Sequence, residues 1–189
     1  VGGTPIFMKS AKGAYLVDED GNRMPHDGVA QGELYVRGNA VVSAYFKNEE
    51  ASKTSIDADG WFGTGDVATL DARGCLTITD RAKDLIKSGG EWISSLDIEN
   101  IAMSHPDVRQ CAVIAVPHEK WGERPLLIVV PEAESTADLA GILALIGKHV
   151  SSWQVPDDIV LTDRLPLAPT GKISKKDLRE IYADYVLPQ

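Results

Sequence analysis

The hydrophobic pattern of this chain changes period near residue 84, and that change limits the folds open to it. Before it, short apolar alternations are set off by turn residues. Ala14 to Val17 reads as a strand, Asp18 to Asn22 as a turn with Gly21 available for a left-handed position, and Gly32 to Gly38 as a second alternation. Residues 48–56 read as a short capped helix. Asp59 to Phe62 then turns the chain into a hairpin of Val67–Leu70 and Cys75–Thr79 across an Asp71–Gly74 turn, so residues 1–79 predict a small, mostly β module. After residue 84, strand-length and helical segments alternate. A helix is expected from Ser95 to about His105, with Leu96, Ile98 and Ile101 on its buried face. Strands follow at Cys111–Val116, Leu126–Val130 and Ile159–Leu161. Between the last two, residues 136–150 carry a helical face of Leu139, Ile142, Leu143 and Ile146. Ser174, with Asp177 three residues on, opens a final helix whose inner face would be Leu178, Ile181, Tyr182 and Tyr185. The predicted architecture is α+β: a β-rich part over 1–82, then a compact α+β domain over 83–189 with a central sheet flanked by helices.

Composition excludes several classes. The 189 residues are 43% hydrophobic and 25% charged, as in an ordinary globular protein. Net charge is −9 with no basic stripe, which argues against a duplex nucleic acid partner. The longest apolar run, Leu126 to Val130, is strand-sized, so no membrane span is expected. Cys75 and Cys111 each sit in a strand-like run, as two reduced thiols would. The four histidines, His26, His105, His118 and His149, have no ligand spacing, and no metal site is expected from this chain alone. Val1 to Pro5 has neither an initiating Met nor a signal-peptide pattern, so the chain is expected to be a piece of a longer protein.

Most of the chemistry is concentrated in residues 80–100. Arg81, Lys83, Asp84 and Lys87 precede Gly89 and Gly90, and the glycine pair can take positive φ or let another backbone pass close by. Ser94 and Ser95 can then cap the following helix, with Asp97 and Glu99 near its positive end. Taken alone, these residues make a strand, a turn and a helix with a charged edge. Asp66, delivered by Gly63-Thr64-Gly65, could accept hydrogen bonds from ribose hydroxyls or bond its own backbone as a turn residue. Lys172, in the breaker-rich loop Pro169-Thr170-Gly171-Lys172, could reach a phosphate or carboxylate or simply be solvated. The loop is not a Walker motif, since Pro166 and Ile173 occupy its defining positions.

In order, Trp61 to Asp66, Asp80 to Ile93 and Pro169 to Lys172 resemble the late motifs of the acyl-adenylate-forming superfamily of acyl-CoA synthetases, peptide-synthetase adenylation domains and luciferases. The resemblance covers essentially the whole chain. The wording from Gly89 to Asn100 and from Val116 to Pro125 is most similar to medium- and long-chain fatty acyl-CoA synthetases. Gly63 stands where many members carry Arg, and Ser43-Ala44-Tyr45 lacks the usual glycine.

The resemblance implies an enzyme with a large N-terminal domain, ending near residue 82 here, and a mobile C-terminal lid. ATP and a carboxylate give an acyl-adenylate and pyrophosphate, and the thiol of CoA then displaces AMP. It implies that Asp66 holds the ribose hydroxyls, that Arg81 supports the same nucleotide and that Lys83 is the hinge. Lys172 would bridge carboxylate and phosphate oxygens in the first step. In the second, the face bearing Lys87, Gly89, Gly90, Glu91 and Trp92 would replace it and admit the pantetheine arm of CoA. Adenylation joins two anions, and a cation positioned in advance between them is worth about 3 kcal/mol of barrier. The family's phosphate-gripping loop is absent from these residues, so ATP and Mg2+ would be held mainly upstream of Val1 and the piece alone would be inactive. A fatty acid or other carboxylate, ATP or AMP, and CoA are the implied partners, with a cytoplasmic setting and a possible homodimer in the intact enzyme. An adenylation domain that loads a carrier protein, and a non-catalytic module that keeps the lid fold, are the alternatives.

Overall fold

In the computed structural model, residues 6–7, 13–132 and 137–188 are described, Ile6 and Phe7 by backbone alone. The expectation about Val1–Pro5 and the Thr136 end of the predicted helix lie outside the described residues. The chain divides into two compact units, Val1–Lys83 and Asp84–Gln189.

The first unit is an antiparallel sheet in the order β1-β5-β4-β3-β2, with β1 at Ile6–Phe7, β2 at Ala14–Val17, β3 at Gln31–Val36, β4 at Phe62–Leu70 and β5 at Cys75–Arg81. Strict alternation in β3 sends Leu34 and Val36 inward, where they meet Leu16, Ala68, Leu70 and Leu76. The helix α1, Glu49–Ser55, starts where Asn48 accepts a hydrogen bond from the Ala51 amide. Strand β4 begins earlier than its apolar residues suggest, because Phe62 and Gly63 pair with Val36 and Tyr35. A Cβ at position 63 would lie 3.2 Å from the Tyr35 ring, so here an aromatic from the neighbouring strand fills the space beside that glycine.

The second unit has a sheet in the order β10-β9-β6-β7, with β8 also paired to β9. Its strands are β6 at Ile86–Ser88, β7 at Glu91–Ile93, β8 at Val108–His118, β9 at Gly122–Pro131 and β10 at Asp158–Leu161. Its helices are α2 at Ser95–Ala102, α3 at Leu139–Gly147 and α4 at Lys175–Ile181, with a 3₁₀ turn at Ser152–Gln154. β8 and β9 form a long hairpin, and β10 joins β9 in parallel. Both faces of this hairpin are covered. Cys111, Val113, Leu127 and Val129 pack with Ile98, Ile142 and Ile146 of α2 and α3, while Ala112, Ile114, Leu126 and Ile128 pack with Leu165 and Leu178. Burial on both sides is why the strands read as continuous apolar runs rather than alternations. Each of their Leu and Ile side chains contributes about 1.5–3 kcal/mol by leaving water.

Two expected faces are corrected. In α2 Ser95, Ile98 and Ala102 are buried and Ile101 packs beside them as expected, whereas Leu96 is 37% exposed. The helix is also shorter than expected, ending at Ala102. Ser94 caps it by accepting from the Asp97 amide, and that start sets the phase which turns Ser95 inward. In α4, Leu178 is buried and Tyr182 and Tyr185 pack beside the core, but Ile181, the last residue of this two-turn helix, is 64% exposed. Among the described residues no helix is long and apolar enough to cross a membrane.

Candidate functional site

In the first unit, Asp66 lies inside β4 rather than ahead of it, directly opposite Arg81 of β5. The pair is joined through Arg81 Nε and Asp66 Oδ1 at 3.0 Å. Gly65 has φ of +69°, and its carbonyl accepts the Ala82 amide, which draws the end of β5 around the carboxylate. The Asp66 amide donates to Thr64 Oγ1, and that hydroxyl donates to the Leu34 carbonyl. Asp66 Oδ2 has no partner among the described residues, so it can accept hydrogen bonds from a ligand hydroxyl. The arginine side chain is half exposed, so the pair orients the carboxylate more than it stabilises the unit. Lys83 follows in an exposed turn as the last residue of this unit.

In the second unit, β6 and β7 form a hairpin with Ile86 opposite Ile93, Lys87 opposite Trp92 and Ser88 opposite Glu91. Gly89 and Gly90 make its two-residue turn with φ of +61° and +90°, the geometry of a type I′ turn. Ile86 and Ile93 are buried and fix the hairpin to the core, which leaves Lys87 and Glu91 exposed and Trp92 partly so. The Lys87 amide donates to Glu123 Oε2 at 2.8 Å. The Gly89 amide donates to the Trp121 carbonyl, also at 2.8 Å. The two glycines differ in their surroundings. A Cβ at 89 would come within 2.9 Å of the Trp121 ring, whereas at 90 nothing lies within 4 Å. Room for a passing molecule is therefore at Gly90, and Gly89 is required by Trp121.

A cleft of about 340 Å³ opens beside this turn. Ser88, Gly89 and Glu91 line its hairpin side, and Trp121, Arg124, Trp153 and Asp157 line the remainder. Both tryptophans are about two-fifths exposed. Sequence reasoning missed Trp121, Arg124 and Trp153 as site residues. The available signal was Arg124 itself, a charge at the mouth of an apolar strand that needs a partner once buried.

Lys172 belongs to a different turn of the same unit. The Gly171 amide donates to the Ala168 carbonyl at 2.8 Å, the Ala168 amide donates to the Lys172 carbonyl at 2.7 Å, and Gly171 has φ of +80°. The Lys172 side chain is exposed, with no ion pair among the described residues. Ser174 then caps α4. That helix is tied at two points: Lys175 Nζ lies 2.8 Å from Glu99 Oε1 and 2.7 Å from Ser95 Oγ, and Arg179 Nη1 lies 2.9 Å from Asp84 Oδ1. The turn bearing Lys172 is thus anchored by ion pairs to the segments flanking the glycine hairpin.

Residues 97–172 match the family described as AMP-binding enzyme C-terminal domain. The chain is 53% identical over 169 residues to 3-methylmercaptopropionyl-CoA ligase of Ruegeria pomeroyi, covering 89% of this chain and 31% of that protein. It is 48% identical over 172 residues to the medium-chain-fatty-acid–CoA ligase of Ectopseudomonas oleovorans, covering 91% and 31%. The ATP-bound crystal structure of MatB from Rhodopseudomonas palustris superposes with a TM-score of 0.79 at 33% identity, over 90% of this chain and 34% of that one. The chain thus spans about a third of the length of the curated relatives it matches. Residues 97–172 are an AMP-binding enzyme C-terminal domain, and the chain as a whole is similar to about a third of the length of CoA ligases and of an ATP-bound solved relative.

Proposed function

We propose that this chain is the C-terminal part of an AMP-forming carboxylate–CoA ligase acting on a fatty acid or a similar aliphatic acid, with ATP and CoA as co-substrates. The observation that carries the reading is the exposed amine of Lys172 on a closed turn, in the same compact unit as the Gly89–Gly90 hairpin. One surface offers a cation, and the other offers a backbone that a thiol-bearing arm can pass at Gly90. Forming the acyl-adenylate brings a carboxylate against a phosphate, and Lys172 supplies the charge that both oxygens face. Thioester formation needs entry for the thiol instead, so Lys172 withdraws and the Lys87 to Trp92 face takes its place, pivoting at Lys83. The division of the chain between Lys83 and Asp84 supports that pivot. Asp66 holds ribose hydroxyls through its outward oxygen, with Arg81 fixing its orientation.

The glycine- and serine-rich phosphate loop of such ligases does not occur in these 189 residues, which supports placing Mg2+ and the ATP tail on the rest of the enzyme. By the same reasoning the chain alone forms no acyl-CoA. Relatives named as CoA ligases support CoA, rather than a carrier protein, as acceptor.

The test is Lys172→Ala in the full-length protein. Adenylate formation, followed by trapping with hydroxylamine, is expected to fall by about two to three orders of magnitude, as for loss of one preorganised electrostatic donor. Thioester formation from supplied acyl-adenylate is expected to persist. Equal loss in both half-reactions would refute the assignment.

A further inference from the structure

The cleft beside the glycine turn contains one arginine, and its bonding assigns it an unobvious role. Arg124 is only 7% exposed. Its Nε donates to Asp157 Oδ2 at 2.8 Å and its Nη2 to Asp157 Oδ1 at 2.6 Å, a bidentate pair. Nη1 donates to Ser88 Oγ at 3.0 Å and to the Trp153 carbonyl at 2.5 Å, and Nη2 donates to the Val155 carbonyl at 3.0 Å. A guanidinium has one N–H on Nε and two on each terminal nitrogen, five in all. All five are placed within the protein, so no donor remains for an anionic ligand.

The four partner residues come from three separate segments around the cleft. Ser88 is the last residue of β6, immediately before Gly89. Trp153 and Val155 belong to the 3₁₀ turn and its end, whose outward carbonyls a cation satisfies. Asp157 leads into β10. Trp121, three residues before Arg124, is held against Gly89 by the Gly89 amide bond. The guanidinium thus sets the spacing between the hairpin and the Trp153 wall, with a planar fork that no other side chain reproduces.

We infer that Arg124 is a positioning residue for the thioester-forming half-reaction: it holds the walls of the cleft beside the Gly89–Gly90 turn in the shape that admits CoA, without touching CoA itself. This rests on the proposed function above, in which that turn is where the pantetheine arm passes. An arginine beside a CoA path suggests a phosphate contact at first sight, but its saturated bonding argues for a clamp.

Arg124→Lys in the full-length protein keeps a charge for Asp157 but loses the fork. Adenylate formation is expected to stay within twofold of wild type, while kcat/KM for CoA falls at least tenfold through KM. The same loss is expected with pantetheine, an acceptor thiol that carries no phosphate. Ser88→Ala, which removes one bond and little volume, is expected to shift KM for CoA in the same direction by about threefold, and it decides the matter if Arg124→Lys does not fold. A loss seen with CoA but absent with pantetheine would overturn the inference in favour of a direct phosphate contact. Equal loss in both half-reactions, or none in either variant, would overturn it as well. Wild-type turnover with unaltered variants overturns the clamp alone, whereas a wild-type protein that makes no thioester overturns the proposed function with it.

Discussion

Gly89 and Gly90 are neighbours in one turn with the same sign of φ, yet the structure separates their tolerance to a methyl group. Gly90→Ala places an L residue at φ of +90° with open space around its Cβ. Only backbone strain is incurred there, about 1–2 kcal/mol. Gly89→Ala incurs a similar strain at +61° and also drives a Cβ to within 2.9 Å of Trp121 Cε3. Overfilling a packed contact costs about 1–3 kcal/mol more, so the expected total is about 3 kcal/mol, roughly a hundredfold in the opening equilibrium. Hydrogen exchange of β8 and β9 amides in the full-length protein reads this directly, since those strands exchange through opening of the whole unit. Protection is expected to drop by about tenfold for Gly90→Ala and a further tenfold or more for Gly89→Ala. In a Trp121→Ala background the two substitutions should become equivalent, because their difference is the ring contact. Equal losses with Trp121 present would refute the reasoning, by showing that strain alone governs the turn.

Two further outcomes follow from buried groups. Burial, and then the Glu99 carboxylate, push the Cys111 thiol up to about 12 from 9.0, so iodoacetamide at pH 8 should label Cys75 and spare Cys111 until the protein unfolds. Because the folded value is raised, the neutral thiol's contribution to stability is present below pH 9 and lost as pH rises through 12. Labelling of native Cys111 at a rate comparable to Cys75 would contradict its placement. Lys175→Met leaves Glu99 without its cation partner in a largely enclosed site and is expected to destabilise the unit by about 3 kcal/mol in thermal unfolding. Replacing Glu99 by Gln in the same chain removes the charge but keeps an acceptor for the buried Val113 amide, so it should recover most of that loss, and a single-variant loss below about 1 kcal/mol would mean the pair is better solvated than its geometry implies.

Much of the architecture was legible in order along the chain. The Asn48 and Ser174 caps, the Asp71–Gly74 turn and the paired glycines announce their elements through local chemistry, which needs no distant partner. The candidate site was legible in its lysines and Asp66 only because three motifs occur together in one order; each alone has an ordinary structural meaning. The misreadings have a common origin. Leu96 looked like the buried residue of α2 and Ser95 like a surface cap, but Lys175, eighty positions later, delivers a cation that makes burial of the serine favourable. Asp66 looked like a turn residue because its glycines are turn-formers, and pairing to β5 draws it into the strand instead.

From the sequence by itself came the change of pattern near residue 84, the apolar strands and the breaker-flanked lysine, because each follows from the periodicity and backbone preferences of a few adjacent residues. The tertiary structure alone decided which glycine is closed by Trp121 and which is open, that Asp66 meets Arg81, and that Arg124 is fully consumed in holding a cleft together. Those facts depend on side chains brought together from distant positions, and short-range preference carries no information about where a donor will find its acceptor.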